Sequence, residues 1–356
     1  MTIQKIVVGM SGGVDSAVAA FLLQKDGYSV SGVTLHLHDE SLDLDLENSC
    51  CSQKEVEDAV RIATHLGIPH SVLNFKETFR ENVIDRFIRT YLEGGTPNPC
   101  VDCNRYVKFE RLISHAEALE IERIATGHYA RIQMDPSGRY LLQKALDADK
   151  DQTYVLYALT QEQLSKTLFP LGQYRKSEVR EIARERGFVN AEKKDSQDIC
   201  FVPDGDYATF IERQIEEKYP EGNFIDLSGR LLGKHGGMIR YTIGQRKGLG
   251  IALGKPAFVV AKDATNNTVT LGANEDLFTD TLTAHRINLI ACDRIEAPLR
   301  VTAKVRYKQA EQVATVIQTS EDSICVTFDA PQRAIAKGQS VVLYDGDVVI
   351  GGGIID

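Results

Sequence analysis

Lys5-Ile-Val-Val-Gly9-Met10-Ser11-Gly12-Gly13-Val14-Asp15-Ser16, followed by Ala17-Val-Ala-Ala-Phe-Leu-Leu-Gln-Lys25, is the stretch that decides the fold. The apolar run Ile6, Val7, Val8 reads as a buried strand. Ser11-Gly12-Gly13 predicts a loop, and Asp15 or Ser16 the cap of the helix that follows. Without side chains, Gly12 and Gly13 let backbone N–H groups crowd close to a ligand. The helix start adds unsatisfied donors and the positive end of its dipole. Strand, loop and helix start together make an anion cradle suited to the pyrophosphate of a nucleotide. The bland alternative is a glycine-rich turn that only links strand to helix. Neither G-x-x-x-x-G-K-[ST] nor G-x-G-x-x-G occurs in the stretch, so the two commonest phosphate motifs are set aside.

The stretch instead resembles the S-G-G-x-D-S signature of the ATP pyrophosphatases, the PP-loop enzymes, which cut ATP between its α- and β-phosphates and adenylate a substrate. The pattern around it agrees. Strands are expected at Lys5–Val8, Ser29–Leu37, His70–Asn74 and Arg123–Thr126, and helices at Ser16–Lys25, Glu55–Leu66, Thr78–Leu92 and Asn104–Leu119. Gly27 and Gly67 stand where helix-ending glycines belong. Repeated strand–helix units imply a parallel sheet covered by helices, with ligands beyond the carboxyl ends of its strands.

With 356 residues, 43% hydrophobic and 26% charged, the chain has material for two or three ordinary domains. No apolar run reaches the roughly 18 residues that a membrane span needs. The chain enters its first strand with no apolar h-region, which predicts no secretory signal and a cytoplasmic protein. Its seven cysteines are then read as catalytic, metal-binding or buried thiols, not as a disulfide framework. A net charge of −9 taken alone argues against nucleic acid. Local basic residues outweigh it: Arg105, Lys108, Arg111, Lys144, Lys150, Arg240, Arg246, Lys247, Lys304, Arg306 and Lys308 stand near the motifs below.

A hairpin is expected at Tyr129–Gln133 and Arg139–Gln143, turning through Asp135-Pro-Ser-Gly138. Residues 153–187 are helical in pattern, with helices expected at Glu162–Leu168 and Lys176–Gly187. Gly222–Lys255 reads as a loop-heavy module. From about residue 256, short β-rich segments (Ala257–Ala261, Thr268–Leu271, Arg300–Tyr307, Gln312–Gln318, Ser323–Phe328, Val341–Tyr344) predict a small barrel. Val313, Thr315 and Ile317 alternate with their neighbours, as in a half-buried strand. The fold expected is thus α/β: a Rossmann-like, adenine nucleotide alpha hydrolase-like PP-loop domain over 1–205, a small central module over 206–280 and a C-terminal β-barrel over 281–356.

Two segments carry cysteine chemistry: Thr96-Pro-Asn98-Pro99-Cys100-Val-Asp-Cys103-Asn104 and Ser196-Gln-Asp-Ile-Cys200-Phe201. Prolines and glycines force an irregular loop before Cys100. Asn104 can cap the next helix, placing Cys103 at a helix start, where the dipole favours the nucleophilic thiolate. C-x-x-C alone is open to other readings: half a zinc site, a redox pair, or incidental thiols. No second metal-binding half follows, and the proline-rich loop does not fit a thioredoxin-like pair.

Taken in order, T-P-N-P at 96–99, C-N at 103–104, K-F at 108–109, G-H-Y-A at 127–130, K-D-Q-T-Y at 150–154, S-Q-D-I-C-F at 196–201, Y-T-I-G-Q-R-K-G at 241–248, V-R-Y at 305–307 and G-Q at 338–339 resemble the tRNA-specific 2-thiouridylases (the MnmA/TrmU family) over essentially the whole chain. The resemblance implies ATP- and Mg²⁺-dependent replacement of the C2 oxygen of wobble uridine (U34) by sulfur, in tRNAs such as those for Lys, Glu and Gln. A cysteine desulfurase or relay protein would supply the sulfur as persulfide. It places ATP on Gly9, Met10, Ser11, Gly12, Gly13, Val14, Asp15 and Ser16, with Leu35 by the adenine and Gly127 lining the site. Cys103 falls on the nucleophile and Cys200 on the persulfide carrier. Asn98, Pro99 and Cys100 fall beside the flipped base. His128, Lys150, Asp151, Gln152, Arg306, Tyr307 and Gln339 fall on tRNA contacts. Tyr307 and Leu35 are also open to a simple packing role.

Many members carry Asp where this chain has Cys100. Cys100, Cys103 and Cys200 could together hold an iron–sulfur cluster; persulfide chemistry needs only two cysteines and is the preferred route. Cys50 and Cys51 are either redox-sensitive or buried, and Cys292 and Cys325 read as core residues. The competing functions are another PP-loop synthetase adenylating a small molecule, and a non-catalytic ATP sensor or tRNA chaperone.

Overall fold

The computed structural model describes residues 3–37, 53–193 and 199–356. They fall into two compact units: 1–84, 99–203 and 346–351 form the first, and 85–98, 204–345 and 352–356 the second. Cys50, Cys51 and Asp195–Asp198 lie outside the described residues. No helix among the described residues is long and apolar enough to cross a membrane.

The first unit is built on a five-stranded parallel sheet. Its strands are β1 (Lys5–Gly9), β2 (Ser29–His36), β3 (His70–Asn74), β4 (Ile124–Thr126) and β7 (Thr167–Leu168), in the order β3-β2-β1-β4-β7. β1 is central, and Ile6, Val7 and Val8 are wholly buried, as a strand covered on both faces requires. Helices α1 (Val14–Lys25) and α2 (Gln53–Leu66) follow β1 and β2. Gly27 and Gly67 both have positive φ. Tyr28 N–H reaches Leu23 O (3.0 Å) and Ile68 N–H reaches Ala63 O (3.0 Å), closing the expected glycine-ended turns. The hairpin also forms, pairing β5 (Arg131–Met134) with β6 (Tyr140–Gln143).

Two expectations are corrected. The helix expected over Thr78–Leu92 is α3 (Lys76–Phe79), a π segment at Arg80–Ile84 and α4 (Asp85–Leu92). The helix expected from Asn104 begins earlier, as α5 (Pro99–Asp102), continues as a π segment (Cys103–Phe109) and ends as α6 (Glu110–Ala118). Pro99 at its first position explains the early start, since proline's fixed φ and missing N–H suit a helix's first turn. In the 153–187 region the helices expected at Glu162–Leu168 and Lys176–Gly187 form as α8 (Gln161–Ser165) and α9 (Lys176–Glu185), with α7 (Thr153–Leu156) ahead of them and the short edge strand β7 between them.

In the second unit, α10 (Tyr207–Gln214) precedes a four-stranded sheet of β8 (Gly222–Ile225), β9 (Leu231–His235), β10 (Phe258–Asp263) and β11 (Thr268–Gly272), ordered β10-β11-β8-β9. The segments at 257–261 and 268–271 belong here, not to the barrel. Val259, Val269 and Leu271 pack with Phe224, Met238 and Tyr241 in a separate core, which draws them in. The barrel strands are β12 (Phe278–Leu289), β13 (Leu299–Lys304), β14 (Gln312–Ser320), β15 (Ser323–Arg333), β16 (Ser340–Asp345) and β17 (Val348–Ile355). They run β12-β15-β14-β13-β16-β17 and close through β12–β17. β14 does alternate, but Ala314 and Val316 face inward while Val313 and Ile317 are exposed.

Candidate active site

The loop after β1 is shaped by its own side chains. Ser16 Oγ accepts from the Ser11 N–H (3.2 Å) and donates to Gly13 O (3.1 Å). The two serines thus close the loop on itself. Neither Asp15 nor Ser16 caps α1: Gly13 occupies that position, without a side-chain cap. Gly12 has φ +72°, and a Cβ there would lie 2.2 Å from Glu55 O of α2. Its missing side chain therefore admits the α2 backbone, a packing demand that the reading of glycine as room for a ligand did not include. Asn190, 3% exposed, donates to Gly12 O (2.8 Å). Met10 N–H donates to Val33 O (2.8 Å), and Met10 O accepts from Thr34 Oγ1 (2.8 Å).

Asp15, freed from capping, is the hub. Lys176 Nζ stands 2.7 Å from each of its carboxylate oxygens, and Tyr129 OH donates to Oδ1 (2.8 Å). Lys176 and Tyr129 are both buried, 8% and 3% exposed. Gly127, at the end of β4, meets this junction directly: a Cβ there would lie 2.7 Å from Asp15 C and Ser16 N. The ends of β1 and β4 thus bring Asp15, Ser16, Gly127 and Tyr129 together, while Leu35 is buried near the end of β2. Beside Lys176, a cavity of about 390 Å³ is lined by Lys150, Lys176, Ser177, Arg180 and Arg184. Sequence reasoning missed Lys176. The only local signal is a cation in the first turn of α9, the end where the helix dipole disfavours positive charge.

Cys100, Cys103 and Cys200 all belong to this unit. Cys100 is exposed, Cys103 buried and Cys200 half-buried, all three as thiols. Cys103 opens the π segment one turn inside the helical run, so the dipole's help to its thiolate is weaker than at a true helix start. Asn104 is not a cap; it is 2% exposed and donates to Val155 O (3.0 Å). The residue after Cys200 anchors its turn, with the Phe201 ring edge-on to Phe79 at 5.8 Å.

Several residues expected to touch RNA also make contacts within the protein. Asp151 accepts from Ala145 N–H (3.0 Å) and Thr153 Oγ1 (2.6 Å). Gln152 Oε1 accepts from Tyr129 N–H (2.8 Å). His128 Nδ1 shares a hydrogen bond with Thr126 Oγ1 (2.8 Å), and its ring packs with Phe109 and Phe169. Desolvation, then Lys108, pushes the His128 pKa down to about 3. This imidazole is therefore neutral at physiological pH and offers a phosphate no charge. In the second unit, Arg306 donates to Ala334 O (2.8 Å), Tyr307 is 36% exposed, and Gln339 donates to the backbone at Thr96 and Pro97. Lys150 lines the cavity, and Asn98 is half-buried.

Among the described residues, no three His, Cys, Asp or Glu side chains gather as a metal-holding group. Cys100, Cys103 and Cys200 therefore make no single-ion site as they stand. Mg²⁺ asks less, because one carboxylate plus substrate phosphates satisfies it; Asp15 is the carboxylate at the loop, with Lys176 Nζ 2.7 Å from both its oxygens.

Family profiles match along the chain: a tRNA methyl transferase HUP domain at 4–204, a tRNA methyl transferase PRC-barrel domain at 208–273 and an aminomethyltransferase beta-barrel domain at 279–355. The chain is 54% identical over 354 residues to the tRNA-specific 2-thiouridylase MnmA of Clostridioides difficile, covering 99% of this chain and 98% of that protein. It is 52% identical to the protein of the same name from Lachnoclostridium phytofermentans, covering 99% of each. A 4-thiouridine synthetase–RNA complex with bound ATP is a distant structural likeness, 20% identical with a TM-score of 0.34, covering 60% of this chain and 50% of that one. With this identity sustained from end to end, the chain belongs to the tRNA-specific 2-thiouridylase MnmA family.

Proposed function

We propose that this protein is an ATP-dependent tRNA 2-thiouridylase acting on the wobble uridine. The observation that carries the reading is the meeting of Asp15, Ser16 and Gly127 at the ends of β1 and β4, in the same unit as Cys103 and Cys200. The 2-thiouridylase relatives support the substrate.

The loop N–H groups and the start of α1 face the phosphates of ATP, where charge develops. Asp15, on giving up a contact with Lys176, would hold Mg²⁺, and the bound ion would supply charge neutralisation for the departing pyrophosphate. The uridine C2 oxygen attacks the α-phosphate and pyrophosphate leaves; the adenylated oxygen is now a good leaving group. Cys200, loaded as a persulfide by an external donor, attacks C2 through its outer sulfur, and AMP departs. The Cys103 thiolate then attacks the inner sulfur, leaving the outer one on C2 and forming a Cys103–Cys200 disulfide. An external thiol reductant resets the pair. The base leaves its stack to reach the pocket, and the cytoplasm supplies both reductant and tRNA.

Mass spectrometry of tRNA nucleosides after incubation with ATP, Mg²⁺ and a persulfide source tests the reading. The expected product is 2-thiouridine, with one pyrophosphate released per sulfur transferred. Pyrophosphate release that needs no tRNA and yields no thiolated nucleoside would favour a small-molecule synthetase.

A further inference from the structure

The loop that precedes Cys100 and Cys103 is gripped by side chains far along the sequence. Gln339 Nε2 donates to Thr96 O (2.9 Å) and Pro97 O (3.2 Å). Lys262 Nζ donates to Gly95 O (3.3 Å) and Tyr241 O (2.9 Å). Thr96 N–H donates to Lys337 O (2.7 Å). All these residues lie in the second unit.

The grip is specific. Three successive carbonyls, at Gly95, Thr96 and Pro97, are each met by a side-chain donor. Pro97 and Pro99 have no N–H, so the loop cannot complete a ladder of its own. The backbones fit closely: a Cβ on Gly338 would lie 3.2 Å from Thr96 N, and one on Gly95 3.2 Å from Lys337 O. Gln339 is itself fixed, its carbonyl accepting from Ile355 N–H (2.8 Å). A glutamine amide has two N–H hydrogens, and both go to loop carbonyls. None remains to donate to an RNA phosphate. Desolvation lowers the Lys262 pKa to about 8, and its ammonium is turned onto the Gly95 and Tyr241 carbonyls.

We infer that Gln339 and Lys262 are positioning residues for sulfur transfer, holding the Thr96-Pro97-Asn98 loop that leads the chain into Cys100 and Cys103. The inference rests on the thiolation reading above. Gln339 falls on a position that the family resemblance assigns to tRNA contact, and the two roles predict different kinetics.

The test uses Gln339→Met and Lys262→Met in the full chain. Both keep length and remove the donors without adding charge. Lys262→Met also removes a buried cation, so it is expected to fold. Three quantities are measured: hydrogen exchange across residues 94–98, the Kd for tRNA, and the single-turnover thiolation rate at saturating tRNA. In both variants exchange should rise about tenfold, as loss of local hydrogen bonds requires. The rate should fall about tenfold or more, and Kd should stay within about threefold. A larger rise in Kd in either variant, or wild-type exchange and rate, overturns the inference. If the unaltered protein does not thiolate tRNA, the thiolation reading fails instead, and exchange alone still decides whether the loop is clamped.

Discussion

Lys176 Nζ lies 2.7 Å from both carboxylate oxygens of Asp15, across 161 residues of chain. The two ends of the pair differ in burial: the lysine side chain is 10% exposed and the aspartate 30%. Removing Asp15 strands a buried ammonium, whereas removing Lys176 leaves a carboxylate that water reaches. Asp15→Ala should therefore cost about 2–4 kcal/mol of stability and Lys176→Met about 1–2, with the double variant losing less than the sum. Urea unfolding of the four proteins measures this. Asp15→Ala should also reduce pyrophosphate release at saturating tRNA at least about a hundredfold; an unchanged rate would remove Asp15 from the site.

Cys103→Ser and Cys200→Ser should each abolish thiolation while leaving ATP affinity within about twofold, because a hydroxyl neither carries persulfide sulfur nor exchanges with a disulfide. Nucleotide titration and nucleoside analysis separate the two effects. Thiolation near the wild-type rate in either variant contradicts the mechanism.

Gly127→Ala adds one methyl group where Asp15 and Ser16 backbone atoms already stand 2.7 Å away. Backbone cannot swing aside as a flexible side chain can. The expected cost is about 1–3 kcal/mol, accompanied by weaker ATP binding. A stable variant with unaltered nucleotide affinity would mean that β4 and the loop move independently.

His128 supplies a pH test. Its folded pKa, about 3, lies below the ordinary imidazole value near 6.5. Between these values the unfolded chain binds a proton that the native one refuses, so stability falls as pH drops from 6.5 toward 3. His128→Phe removes this term. The wild type should lose stability relative to the variant over that window, by at most about 1.4 kcal/mol per pH unit. Parallel curves would show that His128 protonates freely in the fold.

Local pattern told most of the first unit. The apolar run of β1, the positive-φ glycines after α1 and α2, and the Asp135–Gly138 turn each act within a few residues, so sequence spacing reveals them. What escaped depends on distant partners. The two residues of β7 are too short for periodicity, and Asn190 meets Gly12 O from 178 positions away. Lys176 read as an unremarkable helix start because its partner is in the first loop. The same limit explains Asp151, Gln152 and Gln339. Motif matching gave their positions, but only the folded chain shows the internal hydrogen bonds they make.

Gly12 has a broader consequence. Because the carbonyl of Glu55 occupies the space where a side chain would stand, the curvature of the phosphate loop is moulded partly by a helix that the signature hexapeptide does not contain. The motif is consequently not portable. Ser11–Ser16 transplanted onto another strand–helix junction would keep its serine clasp yet lack the surface against which it is cast, and its amides would diverge.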